Sequence, residues 1–280
     1  MVEGHVSIRT CGFDSRSEHS ILFVKKVIKF ILNLFPRPFL ITASLKILPL
    51  LKWIFKGKKY KDPIDEANLS RFLPYGYTKL RSNALSPSTL SLERHRLLWL
   101  FLKNETLLFT DHLRLLHIAP EQAFYKKLKE LPHLDYTSLD LHSPIADIKA
   151  DITDMPFDDN YFDVVICNHV LEHIEDDVKA MEELYRVLTP GGISILQVPQ
   201  DLNREITFED NSIKDPQHRT EIFGQYDHVR VYGMDYFKKL SKVGFDARPV
   251  FYANQFSTED KIRYGIQNDD IIPLAKKPQS

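Results

Sequence analysis

The chain has 280 residues, of which 43% are hydrophobic and 27% charged, so it can form one full α/β domain and a smaller appendage. Its formal net charge of -1 excludes a general electrostatic attraction to nucleic acid, and no nucleic-acid partner is expected. Its cysteines, Cys11 and Cys167, lie far apart in the sequence, which argues against a disulfide framework and favours a cytoplasmic location.

Residues 1–59 are predicted to form a basic helical leader. Positions 20–60 hold nine lysine or arginine side chains and no acidic residue, and apolar residues recur there at helical spacing. Charges interrupt every window of about 18 residues, which disfavours a spanning helix. Two interpretations stay open: residues 21–56 lie on the inner face of a membrane, or they pack against the protein or a partner chain.

Residues 60–104 are predicted to form a small irregular module and a linking helix. Oxygen-bearing side chains stand at four positions that have the spacing of zinc-ribbon cysteines: Asp62, Asp65, Ser86 and Thr89. Because zinc prefers thiolate and imidazole ligands, we predict no structural zinc at these positions.

Residues 105–280 are predicted to form an α/β domain with a mainly parallel sheet. Strands are expected at 114–118, 136–141, 150–152, 162–167, 193–198, 247–252 and 271–275. Between the fourth and fifth strands, a polar corner at 168–177 precedes an amphipathic helix, which Pro190-Gly191-Gly192 ends. Since open α/β sheets bind ligands at the carboxyl ends of their strands, the polar corner predicts a ligand site.

The domain resembles the class I S-adenosylmethionine-dependent methyltransferases, in the branch often labelled type 11. The resemblance covers roughly residues 113–277 and rests on Asn168-His169-Val170-Leu171-Glu172-His173-Ile174, on Tyr185-Arg186-Val187-Leu188 and on Pro190-Gly191-Gly192. It implies a Rossmann-like sheet with helices on both faces. The sequences LHIAPE at 116–121 and FGQYDHVRVYG at 223–233 are similar to those of a bacterial subgroup in which a four-cysteine ribbon precedes the domain.

The resemblance also implies a site for S-adenosylmethionine. The first loop departs from the family pattern, because His117 stands in the usual acidic position while Ala119 and Glu121 replace glycines. Asp140 is expected to bind the ribose hydroxyls and Asp151 the adenine amino group, and Glu121 is a candidate partner for the cofactor's ammonium. The full set of predicted cofactor contacts is His117, Ile118, Ala119, Glu121, Asp140, Leu141, Asp151, Ile152, Asn168 and His169.

The segment His169-x-x-Glu172-His173 also spells H-x-x-E-H, an inverted zinc-protease signature. That chemistry needs both histidines on a helix that faces a cleft, whereas this segment directly follows a parallel strand. We therefore predict a corner of the methyltransferase fold and no metal site. For His173 alone, a bracing hydrogen bond is favoured over proton transfer.

Residues 201–233 are predicted to form a lid over the methyl acceptor, with a solvated loop as the alternative. Its candidate substrate-binding residues are Arg204, Asp227, His228 and Arg230. His228 and His169 are candidate catalytic bases, because an imidazole can remove a proton from a hydroxyl or amine near neutral pH. Asp227 is a candidate to orient His228.

The sequence thus predicts methyl transfer to an unidentified acceptor oxygen or nitrogen. The leader alone suggests a glycan or lipid-linked acceptor. Two other hypotheses stay open: a methyltransferase fold that acts as a scaffold or cofactor sensor without turnover, and an α/β domain that binds another nucleotide.

Overall fold

The computed structural model describes residues 47–76 and 80–279. Residues 50–280 belong to one compact unit. The predicted leader helices lie largely outside the described residues, although residues 47–54 are helical and leave Leu50, Trp53 and Ile54 exposed. Within the two described stretches, no helix combines the length and the hydrophobicity that a membrane span requires.

Two antiparallel hairpins form the small module that precedes the main domain. The first pairs β1 (Lys56–Asp62) with β2 (Ala67–Leu69), and the second pairs β3 (Leu73–Tyr75) with β4 (Arg81–Leu85). Helix α1 (Glu93–Glu105) follows and leads into the main domain.

The main domain is built on a six-stranded sheet. Its strands are β5 (Leu113–Ile118), β6 (Leu134–Leu139), β7 (Phe162–Cys167), β8 (Leu188–Ile195), β11 (Asp246–Val250) and β12 (Ile272–Lys276), in the order β11-β12-β8-β7-β5-β6. Strands β5 to β8 are parallel to one another, whereas β12 runs antiparallel to β8 and β11 antiparallel to β12. The carboxyl ends of β5, β6, β7 and β8 therefore meet at one edge of the sheet, as the sequence predicts.

Helices cover both faces of this sheet, which confirms the predicted Rossmann-like architecture. The remaining elements are α2 (Gln122–Lys129), α3 (Asp177–Val187), β9 (Phe208–Glu209), α4 (Pro216–Phe223), β10 (Arg230–Val231), α5 (Tyr236–Val243) and α6 (Thr258–Tyr264). Apolar side chains of α3 and α5 pack on one face, and those of α1 and α2 pack on the other. Strand β7 is buried between these two layers, and Val165 and Ile166 are fully buried on opposite faces.

The predicted third strand at 150–152 is wrong. Residues 150 and 151 have no regular structure, and the only pairing here is a parallel bridge between Ile148 and Leu139. Two hydrogen bonds form this bridge, from Asp140 N to Ile148 O and from Ile148 N to Ser138 O. The segment is held at the sheet edge by this short contact and by Asp147, whose carboxylate accepts from the Ser138 hydroxyl at 2.7 Å.

The four ribbon-like positions of the small module come together around one buried carboxylate. Asp62 is fully buried, and its Oδ2 accepts hydrogen bonds from the hydroxyls of Thr89 at 2.5 Å and Ser91 at 3.1 Å. The Ser88 hydroxyl lies 3.1 Å from that of Ser86 and 3.2 Å from Asp65 Oδ1. Hydrogen bonds among oxygen side chains thus close the module at these four positions.

Arg96 joins this module to a segment near the end of the chain. Its guanidinium is fully buried and donates to the carbonyls of Ala84 and Ser91 on one side. On the other side it donates to the carbonyls of Tyr264 at 2.6 Å and Gly265 at 2.7 Å. One buried cation therefore ties together the backbone at Ala84, at Ser91 and at residues 264–265.

Candidate functional site

The loop after β5 is connected to the corner after β7 by side chains that are largely buried. His117 is fully buried, and its Nε2 lies 2.6 Å from Glu121 Oε2. The other oxygen of Glu121 accepts from Asn168 Nδ2 at 3.0 Å. The Tyr136 hydroxyl, on β6, lies 3.0 Å from His117 Nδ1. Two of the positions at which this chain departs from the family pattern, His117 and Glu121, therefore belong to one connected hydrogen-bond network.

Glu121 is ionised in this network. Burial raises its pKa, but the hydrogen bond and charge of His117, with a further hydrogen bond from Asn168, lower it more, to about 2. Both carboxylate oxygens already have partners. Glu121 thus braces the loop, and a cofactor ammonium would have to share this carboxylate with His117 and Asn168.

Two non-glycine residues at this edge of the sheet adopt left-handed backbone conformations. Ala119 follows β5 with φ of 48°, and His169 follows β7 with φ of 55°. The backbone N–H of His169 donates to the Gln197 carbonyl after β8 at 2.7 Å, which fixes this turn. Strain of this kind tends to collect at binding sites, where the surrounding structure maintains it.

Asp140 and Asp151 each keep one carboxylate oxygen available. Asp140 Oδ1 accepts from the backbone N–H groups of His142 and Ser143, and Asp151 Oδ1 accepts from the backbone and hydroxyl of Thr153. Neither Oδ2 makes a hydrogen bond within the described parts of the chain. Local turns therefore fix the two carboxylates and leave acceptors for the hydroxyl and amino groups of a ligand.

Apolar residues accompany these acceptors. Ile118 and Ile152 are buried, while Leu141, directly after Asp140, is 51% exposed. An exposed leucine beside a carboxylate offers a surface on which a flat ring can lie. The side chains present thus fit a ligand that carries a hydroxylated sugar and an aromatic base.

A large cleft opens beside this site, at the carboxyl end of β8. It has a volume of about 640 Å³ and is lined by His169, by residues 197–203, by Arg81, Glu93 and Arg94, and by residues 267 and 269–271. Arg81 Nε forms a 2.9 Å ion pair with Glu93 Oε1. His169 belongs both to the turn after β7 and to the wall of this cleft.

Three buried polar atoms that line the cleft have no hydrogen-bond partner in the described structure. They are Arg94 Nε, Gln197 Oε1 and Asp270 Oδ2. Burial, with the nearby charge of Glu93, raises the pKa of Asp270 to about 6. Unpaired buried polar groups are costly, and each of these three atoms belongs to a residue that lines the cleft.

His228 and Asp227 occupy different places from those expected. Asp227 does not orient His228: its Oδ2 lies 3.4 Å from His173 Nδ1, and its Oδ1 accepts from Gln225. His228 Nδ1 instead bonds to the Phe223 carbonyl at 3.1 Å. Burial lowers the pKa of His228. Among the described residues that line the cleft, His169 is present and His228 is not.

The two candidate arginines differ in burial. Arg230 is 2% exposed, and its guanidinium donates to the carbonyls of Leu171, Ile174 and Glu175 and to the Glu209 carboxylate. Arg204 is exposed and lies over the Phe208 ring at 5.3 Å. Arg230 thus stabilises the corner after β7. That Arg230 and Arg204 bind the methyl acceptor stays a prediction.

Sequence reasoning missed the cleft residues that lie outside the strand ends. Gln197 could have been found, because it lies near the carboxyl end of the strand predicted at 193–198. Glu93 and Arg94 lie in the sequence SLERHRLLWL at 91–100, which predicts a linking helix but does not indicate that its first residues line a cleft. Asp270 has no such local signal.

Comparison with known proteins agrees with this geometry. Residues 114–196 match the sequence model of a family described as a methyltransferase domain. This region is therefore similar to methyltransferase domains. The match begins in β5 and ends just after β8, so it contains the loop at 119–121, Asp140, Asp151 and the corner at Asn168.

The chain is also similar to parts of curated proteins. The chain is 42% identical over 62 residues to a chloroplastic 2-phytyl-1,4-beta-naphthoquinone methyltransferase of Arabidopsis thaliana, which covers 22% of this chain and 24% of that protein. It is 45% identical over 53 residues to a demethylmenaquinone methyltransferase of Staphylococcus carnosus, with 19% and 22% covered. The chain thus spans about a quarter of the length of these relatives.

Among solved structures, a SAM dependent methyltransferase from Archaeoglobus fulgidus aligns with a TM-score of 0.43 and 15% identity. The alignment covers 66% of this chain and 94% of that one.

Proposed function

We propose that this protein is an enzyme that transfers a methyl group from S-adenosylmethionine to a polar, hydroxylated acceptor in the cleft beside β8. The observation that supports this most directly concerns His169. This residue belongs to the region that matches the methyltransferase family model, and it also lines a polar cleft of about 640 Å³. The sulfonium of S-adenosylmethionine supplies an activated methyl group. The protein's task is then to position an acceptor atom in line with that group and to exclude water.

Asp140 and Asp151 would hold the cofactor's nucleoside. The free Oδ2 of Asp140 suits the ribose hydroxyls and that of Asp151 suits the adenine amino group, with Leu141 and Ile152 against the ring. Asn168 and Glu121 would contribute at the methionine end, where the network with His117 keeps the loop in shape. The apolar wall and the convergent acceptors are typical of a cofactor site.

The lining of the cleft supports a polar acceptor. The relatives that match parts of this chain are named for naphthoquinone and menaquinone substrates, whose rings and tails are apolar. Here the wall includes Arg81, Glu93, Arg94 and Asp270. A sugar-like acceptor, free or lipid-linked, could form hydrogen bonds with these charged groups, whereas an apolar tail would desolvate them without replacing their hydrogen bonds to water.

His169 and Asp270 would handle the acceptor's proton. The two residues line the same cleft, and Asp270 changes charge near pH 6. Either group could remove a proton from a hydroxyl as the methyl group arrives. A scaffold without turnover is not favoured, because a cleft with unpaired buried polar atoms suits a protein that takes up a ligand.

The experiment has two stages. Calorimetry on the full chain tests whether S-adenosylmethionine and its demethylated product bind. Methyl-labelled S-adenosylmethionine is then incubated with sugar nucleotides, glycosylated lipids and a menaquinone precursor, and the label is followed into each acceptor. We expect cofactor binding and label in a glycan-type acceptor. Label in the quinone precursor alone would contradict the polar acceptor, and failure to bind the cofactor would contradict the function itself.

Peripheral membrane attachment through residues 21–56 is a separate proposal. It is supported by the basic, apolar sequence and by the exposed side chains of Leu50, Trp53 and Ile54. Flotation of the full chain with anionic and with neutral vesicles tests it. Binding to anionic vesicles that fades with salt is expected, and no flotation with either composition would contradict the proposal.

A further inference from the structure

Three metal-ligating side chains meet on the far side of the corner after β7. Glu172 and His173 belong to the single helical turn that follows this strand, and His228 comes from the segment between α4 and β10. A carboxylate oxygen of Glu172 and one ring nitrogen of each histidine lie within 4.8 Å of one another. The two imidazole rings are edge to face, with centroids 4.7 Å apart.

Each histidine has an oxygen atom beside its Nδ1. His228 Nδ1 lies 3.1 Å from the Phe223 carbonyl, and His173 Nδ1 lies 3.4 Å from Asp227 Oδ2. An Nδ1–H that donates to an oxygen leaves the Nε2 lone pair free. Metal-binding histidines have this arrangement, because a carbonyl or carboxylate behind the ring fixes its tautomer and orientation.

Glu172 has an acceptor that nothing in the described structure satisfies. The residue is 1% exposed, and its Oε1 is 3.2 Å from His169 Nδ1. Its Oε2 is buried and has no hydrogen-bond partner. A buried carboxylate oxygen without a partner is unfavourable, and a bound cation is one of the few ligands that would satisfy it beside two imidazoles.

We infer that Glu172, His173 and His228 bind a divalent transition-metal ion of the zinc class. Two imidazoles and one carboxylate suit zinc, whereas magnesium and calcium prefer oxygen ligands throughout. At zinc–ligand distances of about 2.0–2.2 Å, tetrahedral ligand atoms are roughly 3.4 Å apart, so the three groups need to close by up to about 1.4 Å. The side chain of His173 is 29% exposed, which provides the ion's route in and room for a fourth ligand.

The H-x-x-E-H segment thereby has a different role from a protease motif. Its first histidine, His169, does not join the trio but bonds to Glu172 Oε1 and lines the cleft. The third ligand comes from the segment at 224–231. The ion would fasten that segment to the corner after β7 and, through Glu172, fix the ring of His169. This inference does not depend on the proposed methyl transfer.

The test uses the full chain with an affinity tag free of histidine. The protein is treated with a chelator, desalted and titrated with Zn²⁺ by calorimetry and with Co²⁺ by visible absorption. We expect one ion per chain and an absorption band typical of four-coordinate cobalt. Zn²⁺ should also raise the melting temperature by several degrees, since a ligand that binds only the folded state stabilises it.

Three variants and one control assign the site. Glu172→Gln, His173→Asn and His228→Asn should each weaken binding at least tenfold and remove the zinc-dependent rise in melting temperature. His218→Asn changes an exposed histidine of α4 and should bind as the wild type does. Glu172 and His228 are buried, so their variants could misfold. His173 is partly exposed, so His173→Asn should fold normally and still test the site. No uptake by the wild type, or equal uptake by all four variants, would overturn the inference.

Discussion

Asn168 donates a 3.0 Å hydrogen bond from Nδ2 to Oε1 of Glu121, and so joins the corner after β7 to the loop after β5. The other oxygen of Glu121 is held by His117, 2.6 Å away. Family members with an acidic residue and glycines in this loop rely on backbone approach to the cofactor. Here side chains from two strands fix the loop instead, so its shape depends on the ionised state of one carboxylate.

We expect Glu121→Gln to lower the free energy of unfolding in a pH-dependent manner. The folded pKa of Glu121 is about 2, below its ordinary value of 4.5, so its stabilisation is present above about pH 4.5 and is lost as the pH falls toward 2. The difference from wild type should be on the order of 1–3 kcal/mol at pH 7 and shrink toward zero near pH 2. Urea unfolding at a series of pH values measures it.

The control for that series is Glu130→Gln, at an exposed position just after α2. It should change stability by less than about 0.5 kcal/mol at any pH. A difference between wild type and Glu121→Gln that stays constant with pH would contradict the role of the ionised carboxylate.

Asp140→Asn and Asp151→Asn should each weaken S-adenosylmethionine binding about tenfold, which corresponds to about 1.4 kcal/mol. Asparagine keeps the Oδ1 acceptor that holds each local turn and removes the charge at Oδ2, so the fold should remain intact. Calorimetry measures the affinity. Asp154→Asn, an exposed neighbour, is the matched control. Unchanged affinity in the first two variants would remove both residues from the cofactor site.

Asp270→Asn should stabilise the protein above pH 6. The folded pKa of Asp270 is raised to about 6, so the carboxyl favours the folded state while protonated and loses that advantage as the pH rises through 6. The variant should exceed wild type by about 1–3 kcal/mol at pH 8 and differ little at pH 4. Asp269→Asn, exposed beside it, is the control. A loss of stability at pH 8 would contradict an uncompensated charge.

Arg230→Met should destabilise the protein by about 3–5 kcal/mol, because it removes a buried cation from three carbonyls and the Glu209 carboxylate. Thermal and urea unfolding measure the loss. Arg204→Met, at an exposed position, should stay within about 0.5 kcal/mol of wild type. If Arg230→Met folds normally and loses only acceptor affinity, the residue acts on substrate and not as a brace.

Asp62→Ala should cost about 2–4 kcal/mol, since it leaves the hydroxyls of Thr89 and Ser91 without their buried acceptor. Asp158→Ala, exposed in the turn before β7, is the control and should be neutral. The readout is the urea midpoint together with protease resistance of the small module. A neutral Asp62→Ala would mean that the hydrophobic contacts of Leu69 and Phe72 hold the module alone.

Strand periodicity and the rule for α/β sheets were enough to place Asp140 directly after β6 and Asn168 directly after β7, at one edge of the sheet. The third strand could not be predicted from residues 150–152, because its pairing reduces to one bridge at Ile148 that tertiary contacts decide. The cleft could not be predicted from the sequence either, because Arg94 and Asp270 come together only when the start of α1 folds against the loop before β12. The pairing of Asp227 with His173 depends in the same way on how two distant segments dock.

The buried guanidinium of Arg96 has a consequence for the order of folding. During synthesis Arg96 leaves the ribosome long before Tyr264 and Gly265, whose carbonyls accept two of its hydrogen bonds. Until those residues arrive, closing the small module over α1 would bury a cation that lacks half of its acceptors. The small module and α1 therefore cannot complete their folding as they emerge from the ribosome, and they do so only after Tyr264 and Gly265 have been synthesised.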